Sequence, residues 1–199
     1  MPLNHYHTMS KNEDYVKDYL NSIIRQFNYY KQLGDRTMAQ LSDGQLFEEL
    51  NTDSNSVATI AKHIAGNQLS RWTDFWTTDG EKEWRNRDSE FELESISTRE
   101  GLMATWEKGW KCLFEAIDSI THDNFGQLVY IRNMGHTIPD AVNRQLCHYS
   151  YHVGQMVFIG KVLKGGEWAS LSITKGQSES YNREKFDQPK TKKHFTEDL

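Results

Sequence analysis

What this chain has little of narrows the reading first. Proline occurs three times, at Pro2, Pro139 and Pro189, so long helices can run uninterrupted between them. Cysteine occurs twice, at Cys112 and Cys147. Two thiols so placed make neither a disulfide framework nor a C-x-x-C site, and they fit a reducing, cytoplasmic compartment. No apolar run approaches the roughly 20 residues of a membrane span. The opening "MPLNHYHTMSKNEDY" lacks the apolar core of a signal peptide. A net charge of −5 without a basic block offers nucleic acid no clustered cations to bind. Neither a membrane nor a nucleic acid is the expected partner.

What is present suffices for one domain with a proper core: 199 residues, 37% hydrophobic and 26% charged. Four helical segments are predicted. The first runs from about Asn12 to Leu41, with Tyr15, Tyr19, Ile23, Phe27 and Tyr30 at helix-face spacing. "LSDGQLFEEL" breaks it, with Gly44 in a turn. The second runs from about Ser56 to Trp76, capped by Ser54 or Ser56, with Val57, Ile60, Ile64, Arg71 and Phe75 on one side. The third starts near Ser97 or Thr98, where "STRE" offers a capping box through Glu100, and continues through Leu102, Trp106, Trp110, Leu113 and Ile117. The fourth begins near Pro139 and ends about Leu163, before Gly165-Gly166.

Between the second and third helices lies a charged, aperiodic connection over residues 77–97, with Asp79-Gly80 as a turn. It is long for such a connection and is a candidate lid. "LVYI" is β-prone and long enough only for a small hairpin. The expectation is an all-α fold, a four-helix bundle with one long connection. The domain spans residues 12–170, after a flexible N-terminus over 1–11. Residues 171–199 read as an extended segment and a mobile tail.

The chemistry sits in "LCHYSYHVGQ", residues 146–155. At about 100° per residue, His152 falls about 40° from His148. Both lie in the stripe made by Ala141, Gln145, Tyr149, Met156, Ile159 and Leu163, which must face the interior. Cys147 points away, which makes it inert or interfacial. Two inward imidazoles need partners for four ring nitrogens. A divalent cation takes one from each ring and leaves the others to acceptors around it.

Catalytic sites of this type take three protein ligands, and His63 on the second helix is the candidate third. His5, His7 and His194 fall in terminal segments, and His122 and His136 in predicted loops. On spacing alone, the three histidines read equally as a metal site or as structural histidines.

The helical pattern, the lone histidine of the second helix and the H-x3-H of the last resemble the DinB-like, or YfiT-like, superfamily. The strings "DGEKEWRNRDSEFE", "VNRQLCHYSYHVGQ" and "WASLSITKGQS" are similar to those of one uncharacterised branch, over roughly residues 12–185. The resemblance implies a four-helix bundle, often dimeric, holding a divalent metal through His63, His148 and His152. It also implies a proline and an arginine where this chain has Thr174 and Lys175 in "SITKGQS", a departure that bears on substrate preference.

Three neutral imidazoles leave a bound ion its full charge, which suits hydrolysis or stabilisation of a thiolate. The resemblance therefore implies a metal-dependent enzyme, either a hydrolase or a transferase using a low-molecular-weight thiol. Zinc and nickel are the first candidate ions, although imidazoles also suit copper and iron. The expected partners are a small-molecule substrate and a second copy of the chain. A non-catalytic, metal-stabilised bundle serving as a binding or dimerisation module is the alternative.

No carboxylate stands beside the histidines in sequence, so no general base is evident. Gln155 is a candidate to hydrogen-bond a metal-bound water or to orient His152, though it cannot take a proton, and its plainer role is to bridge helices. Asn67 and Arg71 follow His63 at four and eight residues and are candidates to line the pocket and hold an anionic substrate, with a salt bridge at the bundle end the plainer role for Arg71. Arg85, Arg87 and Asp88 read as a solvated charged loop that could also close over the site, with Arg144 pairing to its acids. Trp72/Trp76 and Trp106/Trp110 are expected to pack a core or a dimer interface.

Overall fold

The computed structural model describes residues 4–92 and 96–198. Six α-helices and one hairpin follow in the order α1 (Asn4–Gln40), α2 (Asp43–Phe47), α3 (Val57–Trp72), α4 (Arg99–Asp118), β1 (Leu128–Ile131), β2 (Met134–Thr137), α5 (Ile138–Lys164) and α6 (Ser178–Phe186). The protein is thus mostly helical, and among the described residues no helix is long and apolar enough to cross a membrane.

The core follows the sequence periodicity. Leu102, Trp106, Trp110, Leu113 and Ile117 of α4 are all buried, as are Ile23 and Phe27 of α1. Tyr15 is exposed, because α1 outruns the core at that end. The helix α3 is enclosed on almost every side, by α4, α5, α2 and the connection. Its contact with α4 depends on Gly109, where a Cβ would lie 2.8 Å from the Ala65 Cα. The two helices therefore approach backbone to backbone. Burial of Trp72, Trp106 and Trp110 bears out their packing role in the core.

Helix ends differ from expectation in instructive ways. α1 begins at Asn4 rather than near Asn12, so of the segment 1–11 only residues 1–3 lie outside the described residues. The predicted break after α1 is itself helical: Ser42 caps α2 in a capping box with Gln45, and Gly44 sits inside the helix. Ser56 caps α3 through Thr59 N, and the helix stops at Trp72 where Thr73 turns extended at ψ 132°, followed by Asp74 at φ 47°.

At α4 the Thr98 side chain accepts from Gly101 N, which leaves Glu100 outside any capping box. Thr137 caps α5, Pro139 lies in its first turn and Gly165, at φ 57°, ends it.

The predicted hairpin forms, with Leu128 opposite Thr137 and Ile131 opposite Met134. Arg132 and Asn133 turn it at φ 54° and 60°. Asp79 clamps that turn by accepting from both of their N–H groups, each at 2.8 Å. The segment expected to be extended and then mobile contains α6, and beyond it the chain runs back along α1. There Lys192 pairs with Asp18 at 2.7 Å, Glu197 with Arg25, and Phe195 packs on Tyr29.

Candidate metal centre

α3 and α5 cross with His63, His148 and His152 facing one another. One ring nitrogen from each lies within 4.8 Å of the other two, and Nε2 of His152 is 3.2 Å from Nε2 of His148. The i, i+4 pair sets the α5 half of the cluster, and α3 supplies the buried third ring.

The tautomers follow from the outer partners. His63 Nδ1 donates to Glu90 Oε2 at 2.8 Å. Burial works to raise the Glu90 carboxyl, but hydrogen bonds from His63 and Arg85 more than offset it and hold its pKa below the usual range. An ionised carboxylate only accepts, so Nδ1 of His63 carries a proton and Nε2 is the nitrogen left to face the cluster.

His152 Nδ1 donates to Gln155 Oε1 at 2.9 Å, which leaves its lone pair on Nε2. His148 has its pKa pushed down to about 3, first by burial and then because a charge on it would be repelled by any charge on the neighbouring His152 and His63 rings. It is therefore neutral at physiological pH, and a burial-driven shift lowers His152 in the same direction.

These features fit a divalent cation. Metal–nitrogen bonds of about 2.0–2.1 Å at tetrahedral angles set ligand nitrogens roughly 3.3 Å apart, close to the 3.2 Å between the two α5 rings. Neutral imidazoles with fixed outer hydrogen bonds are the donor set such an ion takes. A carboxylate–histidine pair and an amide–histidine pair aim two of the three lone pairs inward.

Glu90 is what the sequence reading lacked. It lies in the connection 27 residues after His63, in a 3-10 turn over Asp88–Phe91, and is buried. Of the charged residues of the connection, Arg87 and Asp88 are solvated as expected, whereas the side chains of Glu90 and Arg85 are not. Arg85 is buried within it and grips Glu90 through Nε at 2.7 Å and Nη2 at 3.0 Å. Lys62 ties the turn to α3 through the Ser89 and Glu92 carbonyls. Gly66 makes room for it, since a Cβ there would meet Glu90 Oε1 at 2.5 Å. Phe91 stacks on His63 at 4.9 Å and carries the Arg87 guanidinium on its other contact at 5.2 Å. Asp88 is exposed, away from the histidines. Of this connection, residues 93–95 lie outside the described residues.

The remaining sequence candidates sort by their contacts. Gln155 bonds His152, so it orients that ring rather than bridging helices. Asn67 lines the cleft with its Oδ1 committed to Tyr149, whose hydroxyl in turn accepts from Trp72 at 3.1 Å. Arg71 is buried and forms the expected salt bridge, to Glu81 at 3.1 Å, and it also lines the cleft. Arg144 bonds His136 at 3.0 Å instead of pairing with acids of the connection. Cys147 is exposed. His194 meets Ser22 on α1, away from the cluster.

The three histidines open on a cleft of about 240 Å³ that α3, α5, the connection and the hairpin turn enclose. A family model described as "Protein of unknown function (DUF1572)" matches residues 14–177. No curated protein and no solved structure matches the chain.

Proposed function

The chain belongs to the DUF1572 family of proteins of unknown function, and from that premise we propose that it is a DinB-like four-helix bundle and a metal-dependent enzyme. His63, His148 and His152 hold one divalent ion, zinc or nickel first. The observation that carries this reading is the open side of the cluster. The rings face a cleft, and among the described residues no fourth metal-binding side chain closes the group. A purely structural site is closed by four protein ligands, whereas a catalytic one keeps a position free. The buried tryptophans also leave the cleft clear.

A divalent ion so held supplies Lewis acidity towards a substrate oxygen or a thiol sulfur. The chain's own groups do the positioning. Glu90 fixes the tautomer and plane of His63, Gln155 does the same for His152, and Phe91 covers one face of His63. Glu90 is engaged by His63 and Arg85, so it is a positioning residue and not a free base.

The reaction class is a hydrolase or a transferase using a low-molecular-weight thiol. A screen of esters, amides and electrophiles, with and without such thiols, on metal-loaded protein separates them. Thiol-dependent turnover selects the transferase and thiol-independent cleavage the hydrolase. Absence of turnover with every set, in protein of full metal content, would contradict the enzyme reading.

A further inference from the structure

The chain carries a net charge of −5 and nine arginines, and five of those arginines line this one cleft: Arg71, Arg85, Arg87, Arg132 and Arg144. Among the described residues no lysine and no carboxylate lines it. Arginine keeps its charge in any environment and offers a planar fork that matches a carboxylate or phosphate, where lysine offers only a point charge.

Among the described residues the charges behind the lining do not balance. Glu90 is matched by Arg85. Glu81 is shared by three guanidiniums, those of Arg71 and Arg132 at 3.1 Å and that of Arg85 at 3.4 Å. Among the described residues the acid that Arg87 meets is the exposed Asp88 at 3.9 Å, a pair that water screens.

Arg144 is partnered by an imidazole rather than by an acid. His136 Nδ1 meets the Met134 carbonyl at 2.8 Å and must donate to it, so Nε2 accepts from Arg144. Among the described residues two buried polar atoms on the same wall also have no partner: Gln145 Oε1 and Arg71 Nε. Such atoms are costly to bury unless something completes them.

We propose that this cleft binds a small oxyanion, a carboxylate or phosphate group of the substrate, between Arg87 of the connection, Arg132 of the hairpin turn and Arg144 of α5. The hairpin is then an arm of the site. Asp79 clamps its turn and so places Arg132, and His136 on β2 orients Arg144. Arg71 and Arg85, held by Glu81 and Glu90, form the fixed wall behind. At about 240 Å³ the cleft is smaller than the roughly 300–1,000 Å³ of ordinary ligand pockets, which suits an anionic head group rather than a bulky apolar molecule. The inference rests on the proposed function in one respect only, that the histidines mark the reacting end of the same cleft.

The test titrates inorganic phosphate, and separately malonate against its neutral diamide, into wild-type protein at constant ionic strength. Calorimetry and thermal shift are read on metal-loaded and chelator-treated samples, and metal content is measured on each. Saturable binding of phosphate or malonate but not the diamide is expected, weakened at least tenfold in Arg144→Gln and in Arg87→Gln. Those variants should keep the wild-type metal content, and Arg183→Gln, which removes an equal charge within α6, should bind as wild type. Phosphate binding alone marks a phosphate group, and malonate binding alone a carboxylate.

No saturable binding of either anion overturns the inference, as does binding undiminished in both cleft variants. Binding that survives chelation while the protein proves unable to take up metal upholds the oxyanion site and refutes the metal reading instead.

Discussion

Glu90 acts on the site through His63 rather than on a substrate. Its carboxylate fixes the hydrogen on Nδ1 and makes Nε2 a better donor to a cation. Replacing it with glutamine keeps the shape and one acceptor but removes the charge that both His63 and Arg85 use. Glu90→Gln should therefore weaken zinc or nickel affinity by about 10–100-fold, measured by competition with a chelator of known affinity. Far-UV circular dichroism should stay that of the wild type. Unchanged affinity would show that the carboxylate does not tune the cluster.

His63, His148 and His152 were legible in the sequence because helical spacing and an apolar stripe orient side chains directly. Glu90 was not, because its place depends on how an aperiodic connection folds back, and no local period encodes that. Gly66 was a sequence trace of it: a residue without a side chain three positions after His63 on a buried helix.

At the scale of elements, the connection and the hairpin are docked pieces rather than loose links. The turn over Asp88–Phe91 lies flat on α3 because Gly66 has no side chain. Gly66→Ala adds a methyl group where the Glu90 carboxylate sits. It should displace the turn and reduce metal affinity without altering any ligand, while α3 itself gains helix propensity. Crystallography or metal titration of that variant checks this, and wild-type affinity with Glu90 still on His63 would contradict it.

The hairpin carries a pH dependence of its own. Burial works to raise the Asp79 carboxyl, but the N–H groups of Asn133, Glu81 and Arg132 more than offset it and hold its pKa below the usual value. A depressed carboxylate stabilises the fold fully above its unfolded pKa, about 3.9, and loses that contribution as pH falls through the lower folded value. Amide exchange at Arg132 and Asn133 should thus stay protected at neutral pH and become faster, beyond the intrinsic pH trend, only in that acidic window. In Asp79→Asn the protection should be weak at every pH. Equal protection in the variant would contradict the clamp.

The hairpin's existence was readable from "LVYI", but its function was not. Asp79 lies 53 residues before Arg132 in sequence, and only the folded chain brings them together. The corrected helix ends have a similar origin. Capping by Ser42 and Thr98 is local chemistry, yet the choice among neighbouring serines and threonines is made by how each helix docks.

For the whole molecule, the architecture places a cationic, histidine-edged cleft on a chain of net negative charge. The mostly helical class, the four long helices and the α4 core were legible, since each rests on periodicity within one segment. Four of the cleft's arginines, Arg71, Arg85, Arg87 and Arg144, were candidates near the site in the sequence, but Arg132 was not, because only the folded chain brings the hairpin turn beside α3, the connection and α5.

The central claim is that the three histidines hold a divalent ion, and elemental analysis tests it most directly. Protein purified without a histidine tag and loaded with zinc or nickel, then desalted, should carry about one ion per chain. Chelation should lower its melting temperature, because an ion bound only by the folded state stabilises it. His148→Ala and His152→Ala should carry none and melt at the same temperature with or without chelator. A wild-type protein that retains no metal, or alanine variants that retain as much as the wild type, would contradict the account.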